Sequence, residues 1–224
     1  MTDPPGRLIG TGRAADVYDL GDGTVLRRYR SSQSSEPEAR AMAWLGEHSD
    51  LNLPAVHSAS GRDLVMDLVP GPTMMEDVEA RPWRILGHAR TLARLQRRLN
   101  GIDAPEWFPE RPGVPAGCQV LHLDLHPMNV ILGPAGPTII DWTNVVRGHR
   151  SFDAAMSFVL MSGFEVSGAK DRAGRRLMVE IFAASRGRSA IRSVLSEAID
   201  YRLADPNTTP GERSALLRIG ASHR

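Results

Sequence analysis

Short runs of alternating apolar and polar residues dominate the first part of the chain, and glycine-containing turns separate them. The four runs lie at residues 15–20, 24–29, 55–59 and 63–68. Runs bounded in this way predict antiparallel hairpins. Between the second and third runs, residues 38–48 place small and apolar side chains at helical spacing behind Pro37, which predicts one helix. The pattern stops at Pro70-Gly71-Pro72, where we place a lobe boundary.

Beyond this boundary the periodicity becomes helical. An apolar stripe of the kind that packs on a core is formed by Ile85, Ala89, Leu92, Leu95 and Leu99. A proline-rich loop follows, and three short apolar runs then predict buried strands at 119–123, 130–132 and 138–140. From residue 152 onward the pattern is mainly helical. The sequence therefore predicts an α+β protein with a small β-rich lobe at 1–70 and a larger, mainly helical lobe at 71–224.

Composition narrows the class of protein. The 224 residues are 42% hydrophobic and 24% charged, with a formal net charge of +1, as in a soluble globular protein. This balance argues against nucleic acid or a membrane surface as the main partner. The lone Cys118 cannot form an internal disulfide, no signal peptide is recognisable, and the most apolar stretch, 154–164, is about half the length of a bilayer-spanning helix. We expect a cytoplasmic protein and leave its oligomeric state open.

The densest group of polar residues with catalytic potential is His122-Leu123-Asp124-Leu125-His126-Pro127-Met128-Asn129, which lies between two apolar runs. A further aspartate, Asp141, closes the apolar strand Thr138-Ile139-Ile140 seventeen residues after Asp124. Phosphoryl transfer requires such a set, because the protein must hold Mg²⁺ on nucleotide phosphates and position an acceptor hydroxyl. Oxygen ligands suit that metal.

This order and spacing matches the kinase catalytic loop followed by the metal-binding aspartate. The form H-x-D-x-H-P-x-N, with Asp-Trp in place of Asp-Phe-Gly, resembles the aminoglycoside phosphotransferase and choline kinase-like family. The resemblance implies a bilobal protein-kinase-like fold. It also implies transfer of a phosphoryl group from ATP or GTP to a small hydroxylated acceptor, either an aminoglycoside or a metabolite.

Site residues follow from the same resemblance. It makes Asp124 the catalytic aspartate that accepts or orients the acceptor proton, and Asn129 and Asp141 the ligands of Mg²⁺. His122 would brace the loop, and Asp153 would hold the loop backbone from the start of the next helix.

In the first lobe, the segment from Gly10 and Gly12 to Val17 stands where the family keeps its nucleotide-covering loop. Val17 would then pack on the adenine, although an ordinary hairpin turn explains the glycines equally well. The resemblance also implies adenine contacts from the Asp67 carbonyl and the Val69 amide.

The clearest departure from the family concerns its phosphate-binding lysine. Only Lys170 is a lysine among the 27 basic residues, and Arg27 occupies the family's lysine position, with Glu38 as its expected partner. Arginine keeps the charge and can bind phosphate bidentately, but it is longer and planar. The alternative is an ordinary surface ion pair.

Two other functions remain open at this point. The arginine at position 27 and the poor glycine loop also suit a nucleotide-binding pseudokinase that has lost catalysis. A zinc metallohydrolase is less favoured; it would need His122, Asp124 and His126 on one face of a continuous strand. The acceptor is not specified, since arginines outnumber the acids beyond residue 164.

Overall fold

The structure is a computed structural model that describes residues 6–12 and 14–222. It divides into two compact units. The first comprises the chain as far as Gly71 together with Ile131–Thr143, and the second comprises Pro72–Val130 and the chain from Asn144 onward. One unit is built around a β-sheet and the other is mainly helical, so the predicted α+β class is confirmed.

The strands are β1 (Arg7–Thr11), β2 (Ala15–Asp19), β3 (Thr24–Tyr29), β4 (Val56–Ser60), β5 (Asp63–Asp67), β6 (Gln119–Leu121), β7 (Val130–Gly133), β8 (Gly136–Ile139) and β9 (Val146–Gly148). The α-helices are α1 (Glu36–His48), α2 (Met74–Ala80), α3 (Ile85–Leu99), α4 (Arg150–Gly163), α5 (Ala169–Arg186), α6 (Arg188–Arg192), α7 (Leu195–Ala204) and α8 (Pro210–Ser222). Short 3-10 helices lie at Pro82–Arg84 and Pro127–Asn129. The sequence pattern missed α2 and β9, which are both short.

The first unit contains a five-stranded antiparallel sheet in the order β1-β2-β3-β5-β4, with α1 packed beside β4. Turns with positive-φ glycines join the strands, at Gly21 and Gly23 after β2 and at Gly61 after β4. The core of this unit includes Tyr29 from the central strand β3 and Leu45 from α1, both fully buried.

Residues 131–143 return to the first unit through contacts with Asn52. The backbone N–H of Ile139 donates to the Asn52 carbonyl at 2.9 Å, and the Asn52 side chain donates to the Ala135 carbonyl at 2.9 Å. Asn52 also forms an isolated parallel bridge with Thr138. The sequence placed one boundary at residue 70 and did not anticipate this return, because backbone contacts of this kind leave no side-chain pattern.

The second unit is organised around α4, which contacts α5, α6, α7 and α8. Most of α4 is buried, including Phe152, Asp153 and Val159, as expected for a helix surrounded by other elements. The short strands β6 and β9 pair antiparallel beside it. Within residues 6–12 and 14–222, no helix combines the length and apolar character needed to cross a membrane.

Candidate active site

The loop that carries Asp124 begins where β6 ends, at Leu121. Leu123 has a φ of 61°, in the left-handed region that costs a non-glycine residue roughly 1–2 kcal/mol. The carboxylate of Asp153, in the first turn of α4, holds this backbone: its Oδ1 accepts from the N–H of His122 at 3.0 Å and of Leu123 at 2.7 Å. Asp153 therefore makes the contact that the family resemblance implies.

Neutral amide groups from α3 hold Asp153 in turn. Asn100, which ends α3, donates to Asp153 Oδ2 at 2.8 Å and to the Val120 carbonyl at 3.0 Å. Gln96 donates to the Asp153 carbonyl at 3.0 Å. Arg186 reaches both amide oxygens, Gln96 Oε1 at 3.0 Å and Asn100 Oδ1 at 2.8 Å. Sequence reasoning missed these residues, although two amides four positions apart beside the apolar stripe of α3 were a usable signal.

Asp124 is partly exposed, with 26% of its side chain accessible, so a substrate can reach it. Asn129 donates through Nδ2 to the Asp124 carbonyl at 2.9 Å and to Asp124 Oδ2 at 3.1 Å. The Asp124 N–H donates to Nδ1 of the fully buried His122 at 3.3 Å, which fits the predicted bracing role of this histidine. The loop thus fixes both the backbone and the carboxylate of Asp124.

His126 also lies beside Asp124, with its Nε2 3.6 Å from Asp124 Oδ1. Its Nδ1 accepts from the Met128 N–H at 3.3 Å and caps the short 3-10 helix.

The strand geometry required by the zinc interpretation is not formed. β6 ends before His122, and the left-handed backbone of Leu123 interrupts any strand through Asp124. Across the described parts of the chain, no three His, Cys, Asp or Glu side chains are grouped so that they could hold a metal ion.

Asp141 lies in the first unit, two residues after β8, and has a φ of 62°. Its Oδ1 accepts from Arg27 Nη2 at 2.6 Å and from the Thr143 hydroxyl at 2.8 Å. The next residue, Trp142, is fully buried, and its backbone N–H donates to Glu38 Oε1 at 3.0 Å. Glu38 and Arg27 together therefore fix the turn that presents Asp141.

Arg27 is 6% exposed and Glu38 is 4% exposed, so their predicted pair is present and buried rather than on the surface. Arg27 Nη1 donates to Glu38 Oε1 at 3.2 Å, and Nη2 also donates to Thr143 Oγ1 at 2.7 Å. Burial opposes the charge on Arg27, but the Asp141 and Glu38 carboxylates outweigh it and raise its pKa. Burial also raises the pKa of Glu38, against the lowering effects of Arg27 and of the Tyr29 hydroxyl.

Arg28, the neighbour of Arg27, has a different environment. It forms a bidentate pair with Asp63, at 2.7 Å and 2.6 Å, in which each side chain is about one third exposed. The two consecutive arginines therefore lie on opposite faces of β3, where Arg27 is buried and Arg28 is partly exposed, as the strand alternation predicts.

The glycine segment forms the turn between β1 and β2. Gly10 pairs with Val17, and the Gly12 N–H donates to the Ala15 carbonyl at 2.9 Å. A Cβ at Gly12 would lie 3.1 Å from that carbonyl oxygen, so space favours glycine there. Arg13 lies outside the described residues.

Asp67 and Val69 line a cavity of about 480 Å³ in the first unit, together with Gly23, Asn52 and Pro134. The Asp67 side chain accepts from the Ala55 N–H at 3.2 Å and from His57 Nε2 at 2.7 Å. The backbone contacts to adenine implied for Asp67 and Val69 stay a prediction.

A partly buried cation, Arg202, lies near Asp124 in the second unit. Arg202 binds Glu212 through two hydrogen bonds, at 2.6 Å and 3.0 Å, and Asp205 at 2.6 Å. Burial opposes the charge on Arg202, but the Glu212 hydrogen bonds and the nearby acids, among them Asp124, raise its pKa. Two of the C-terminal acids are therefore already paired with an arginine.

Comparison with known proteins gives the same family as the sequence motifs. Residues 114–188 match the model of the phosphotransferase enzyme family. The matched segment contains Asp124, Asn129, Asp141 and Asp153, and the resemblance to this family is confirmed. No curated protein matches the sequence.

Solved structures of low sequence identity share the fold. The gentamicin complex of APH(2'')-IIa is 13% identical, with a TM-score of 0.66, over 97% of this chain and 89% of that one. ADP-bound aminoglycoside phosphotransferase APH(2'')-Ib is 13% identical, with a TM-score of 0.64, over 97% and 93%. A microcompartment-associated aminopropanol kinase is 15% identical, with a TM-score of 0.61, over 97% and 89%. The protein-kinase-like fold is thereby confirmed, and the comparisons support a small-molecule phosphotransferase.

Proposed function

We propose that this protein is a small-molecule kinase that transfers the γ-phosphoryl group of ATP or GTP to an acceptor hydroxyl. The observation that carries the proposal is the loop around Asp124. A partly exposed carboxylate is held there by the amide of Asn129, on a backbone fixed by the buried Asp153. A general base needs both accessibility and a fixed orientation toward the hydroxyl proton.

The residues proposed to hold Mg²⁺ have the appropriate chemistry. Asn129 uses its amide nitrogen to bind Asp124, so its Oδ1 is directed away from that carboxylate. Asp141 supplies a carboxylate whose Oδ1 is held by Arg27 and Thr143. Both are the hard oxygen donors that Mg²⁺ prefers, and the bound ion would neutralise charge on the nucleotide phosphates.

Nucleotide binding is proposed for the first unit. Gly10, Gly12 and Val17 would cover the nucleotide, and the backbone of Asp67 and Val69 would bind the base. The cation at the lysine position is Arg27, with Glu38 as its partner. A related structure contains ADP, which supports a nucleoside phosphate as the donor.

The acceptor is proposed to be a small hydroxylated molecule, either an aminoglycoside or a metabolite. The C-terminal acids do not by themselves favour a polycation, because Glu212 and Asp205 are paired with Arg202 and Glu180 is paired with Arg188. Release of ADP over a panel of aminoglycosides, amino alcohols and neutral or anionic sugars would identify the class.

Nucleotide binding is tested first, by equilibrium unfolding with and without Mg·ATP or Mg·GTP. A ligand at 100 times its dissociation constant should raise the free energy of unfolding by about 2.7 kcal/mol. Zn²⁺ should not replace Mg²⁺. If neither nucleotide stabilises the protein with Mg²⁺ or Mn²⁺, the kinase proposal is rejected.

Catalysis is tested with Asp124→Asn, which keeps the shape but removes the proton acceptor. Transfer should be abolished while nucleotide affinity stays within a few-fold, because the lost role belongs to the reaction step. Asp171→Asn, an exposed acid on α5, is the matched control. If the wild-type protein binds nucleotide but transfers nothing across the panel, the pseudokinase alternative is favoured. Equal turnover in wild type and Asp124→Asn would exclude Asp124 as the base.

A further inference from the structure

Two hydroxyl groups join the ion pairs around Asp141. We call the set Arg27, Tyr29, Glu38, Asp141 and Thr143 the Asp141 network; all five residues belong to the first unit. Tyr29 is fully buried and lies two positions after Arg27, on the same face of β3. Thr143 lies two positions after Asp141. Neither hydroxyl has a part in the proposed chemistry as described so far.

Each hydroxyl contacts a carboxylate. The Tyr29 hydroxyl donates to Glu38 Oε2 in a short hydrogen bond, and the Thr143 hydroxyl donates to Asp141 Oδ1 at 2.8 Å. The two hydroxyl oxygens lie 3.1 Å apart. Burial and the Glu38 charge raise the pKa of Tyr29, so its phenol keeps its proton at neutral pH.

The charged acceptors decide in which direction the hydroxyl groups of Tyr29 and Thr143 donate their protons. Two hydroxyl protons serve three oxygen–oxygen contacts, and charged acceptors form the stronger hydrogen bonds. The Tyr29 proton therefore goes to Glu38, and the Thr143 proton goes to Asp141. The Thr143 oxygen accepts from Arg27 Nη2, so it cannot turn without breaking a second hydrogen bond.

We propose that Thr143 is a positioning residue for Asp141, and that Tyr29 has the same role for Glu38. Two donors, Thr143 Oγ1 and Arg27 Nη2, meet on one oxygen of Asp141 and thereby fix the plane of the carboxylate. A fixed plane sets the direction in which Asp141 presents its other oxygen. This inference rests on the proposed function, in which Asp141 binds Mg²⁺.

Affinity for two forms of the nucleotide provides the first test. Isothermal titration compares Mg·ATP with ATP in EDTA for wild type, Thr143→Val, Thr143→Ser and Tyr29→Phe. Thr143→Val should weaken Mg·ATP binding by about three- to tenfold, the equivalent of one hydrogen bond, and change metal-free ATP binding by less than about twofold. Thr143→Ser should restore wild-type affinity. Tyr29→Phe should change Mg·ATP binding less than Thr143→Val does, because the Tyr29 hydroxyl contacts Glu38 and does not contact Asp141 directly.

The matched control is Thr24→Val, which also removes a threonine hydroxyl bound to an aspartate of the first unit, Asp22 at 2.5 Å. It should leave both affinities unchanged. If Thr143→Val binds both forms of ATP as the wild type does, or loses the same factor for both, the positioning role is wrong.

A double-mutant cycle on the unliganded protein separates this inference from the proposed function. The effects of Thr143→Val and Asp141→Ala on unfolding should be clearly non-additive, because each removes the same contact. Additive effects would overturn the inference whatever the nucleotide results. A coupled cycle in a protein that binds no nucleotide would reject the proposed function and still assign Thr143 to Asp141.

Discussion

The turn at Asp141 and the loop that carries Asp124 both contain a left-handed backbone held by a carboxylate, but different groups surround that carboxylate. Each contains a non-glycine residue in the left-handed region, Leu123 and Asp141, and the described residues contain no other. Each is held by a buried helix carboxylate that accepts from backbone N–H groups: Glu38 for the turn and Asp153 for the loop. The difference lies in what surrounds that carboxylate.

Glu38 is surrounded by a cation and a phenol, whereas Asp153 bonds backbone N–H groups and a neutral amide. Arg27 gives Glu38 a direct ion pair, whereas Arg186 bonds the amide side chains of Gln96 and Asn100, which in turn donate to Asp153. Backbone donors cannot be removed or titrated, so the loop is fixed by the fold itself. The turn depends on side-chain charge, so substituting the cation beside its carboxylate should weaken it, whereas the loop should be most sensitive to loss of Asp153 itself.

The largest expected effect comes from Asp153→Ala. This change leaves the N–H groups of His122 and Leu123 and the amide of Asn100 without the buried carboxylate that accepts from them. We expect a loss of about 3–5 kcal/mol in the free energy of unfolding, measured in urea. Asp153→Asn keeps one acceptor oxygen and should cost less. A loss below about 1 kcal/mol for Asp153→Ala would show that the loop has other support.

Arg27→Ala should have the next largest effect, because it leaves two carboxylates without their cation. The cost should be about 2–4 kcal/mol, below that of Asp153→Ala, since Glu38 can take up a proton. Arg28→Ala is the matched control from the adjacent position and should cost less than about 1 kcal/mol. Equal losses of unfolding free energy in Arg27→Ala and Arg28→Ala would mean that the face of β3 on which an arginine lies does not determine its contribution to stability.

For transfer itself, Arg27→Lys is the informative variant. It restores the ammonium group found in the family, so it should keep more activity than Arg27→Ala. The shorter side chain loses the fork that contacts Glu38 and Asp141 together, so unfolding stability should fall even where activity is retained. Steady-state kinetics and urea unfolding, measured on the same variants, separate the two effects. An Arg27→Lys protein as stable as the wild type would show that the simultaneous contact of Arg27 with Glu38 and Asp141 does not stabilise the fold.

The smallest expected effect concerns pH and the exposed pair of Arg28 and Asp63. The hydrogen bond from Arg28 lowers the pKa of Asp63. A carboxyl with a lowered folded pKa stabilises the protein above its unfolded pKa of about 4, and this contribution is lost as pH falls through the folded value. The small difference in unfolding free energy between wild type and Arg28→Ala should therefore be present at pH 7 and be lost as pH falls through the lowered folded pKa of Asp63. A difference that persisted at low pH would come from packing.

The sequence predicted the parts of the site that follow from local spacing. The Asp124 loop and Asp141 came from motif order and spacing, whereas Asp153 and the pairing of Arg27 with Glu38 came from the family resemblance. The α3 stripe was also correct, because its period extends over four turns.

Contacts between distant segments were not predictable from one sequence. Tyr29 shares its strand face with Arg27, which was a signal, but its partner Thr143 is 114 positions away. Gln96 and Asn100 stood out as two amides four positions apart beside the α3 stripe, but their partner Asp153 lies more than fifty positions away. Residues 131–143 join the first unit through contacts with Asn52 and with Arg27 and Glu38, which lie 80 to more than 100 positions away.

The left-handed backbone at Leu123 limits how far the catalytic sequence can be transplanted. The octapeptide His122–Asn129 does not encode that conformation, because the carboxylate that compensates its cost lies thirty residues later, in α4. In an engineered protein that received only the octapeptide, the residue at the Leu123 position would adopt an ordinary extended φ, and the side chain of the following aspartate would point in a different direction. The smallest portable unit is therefore the loop together with the start of α4, and a graft should be judged by whether it carries both.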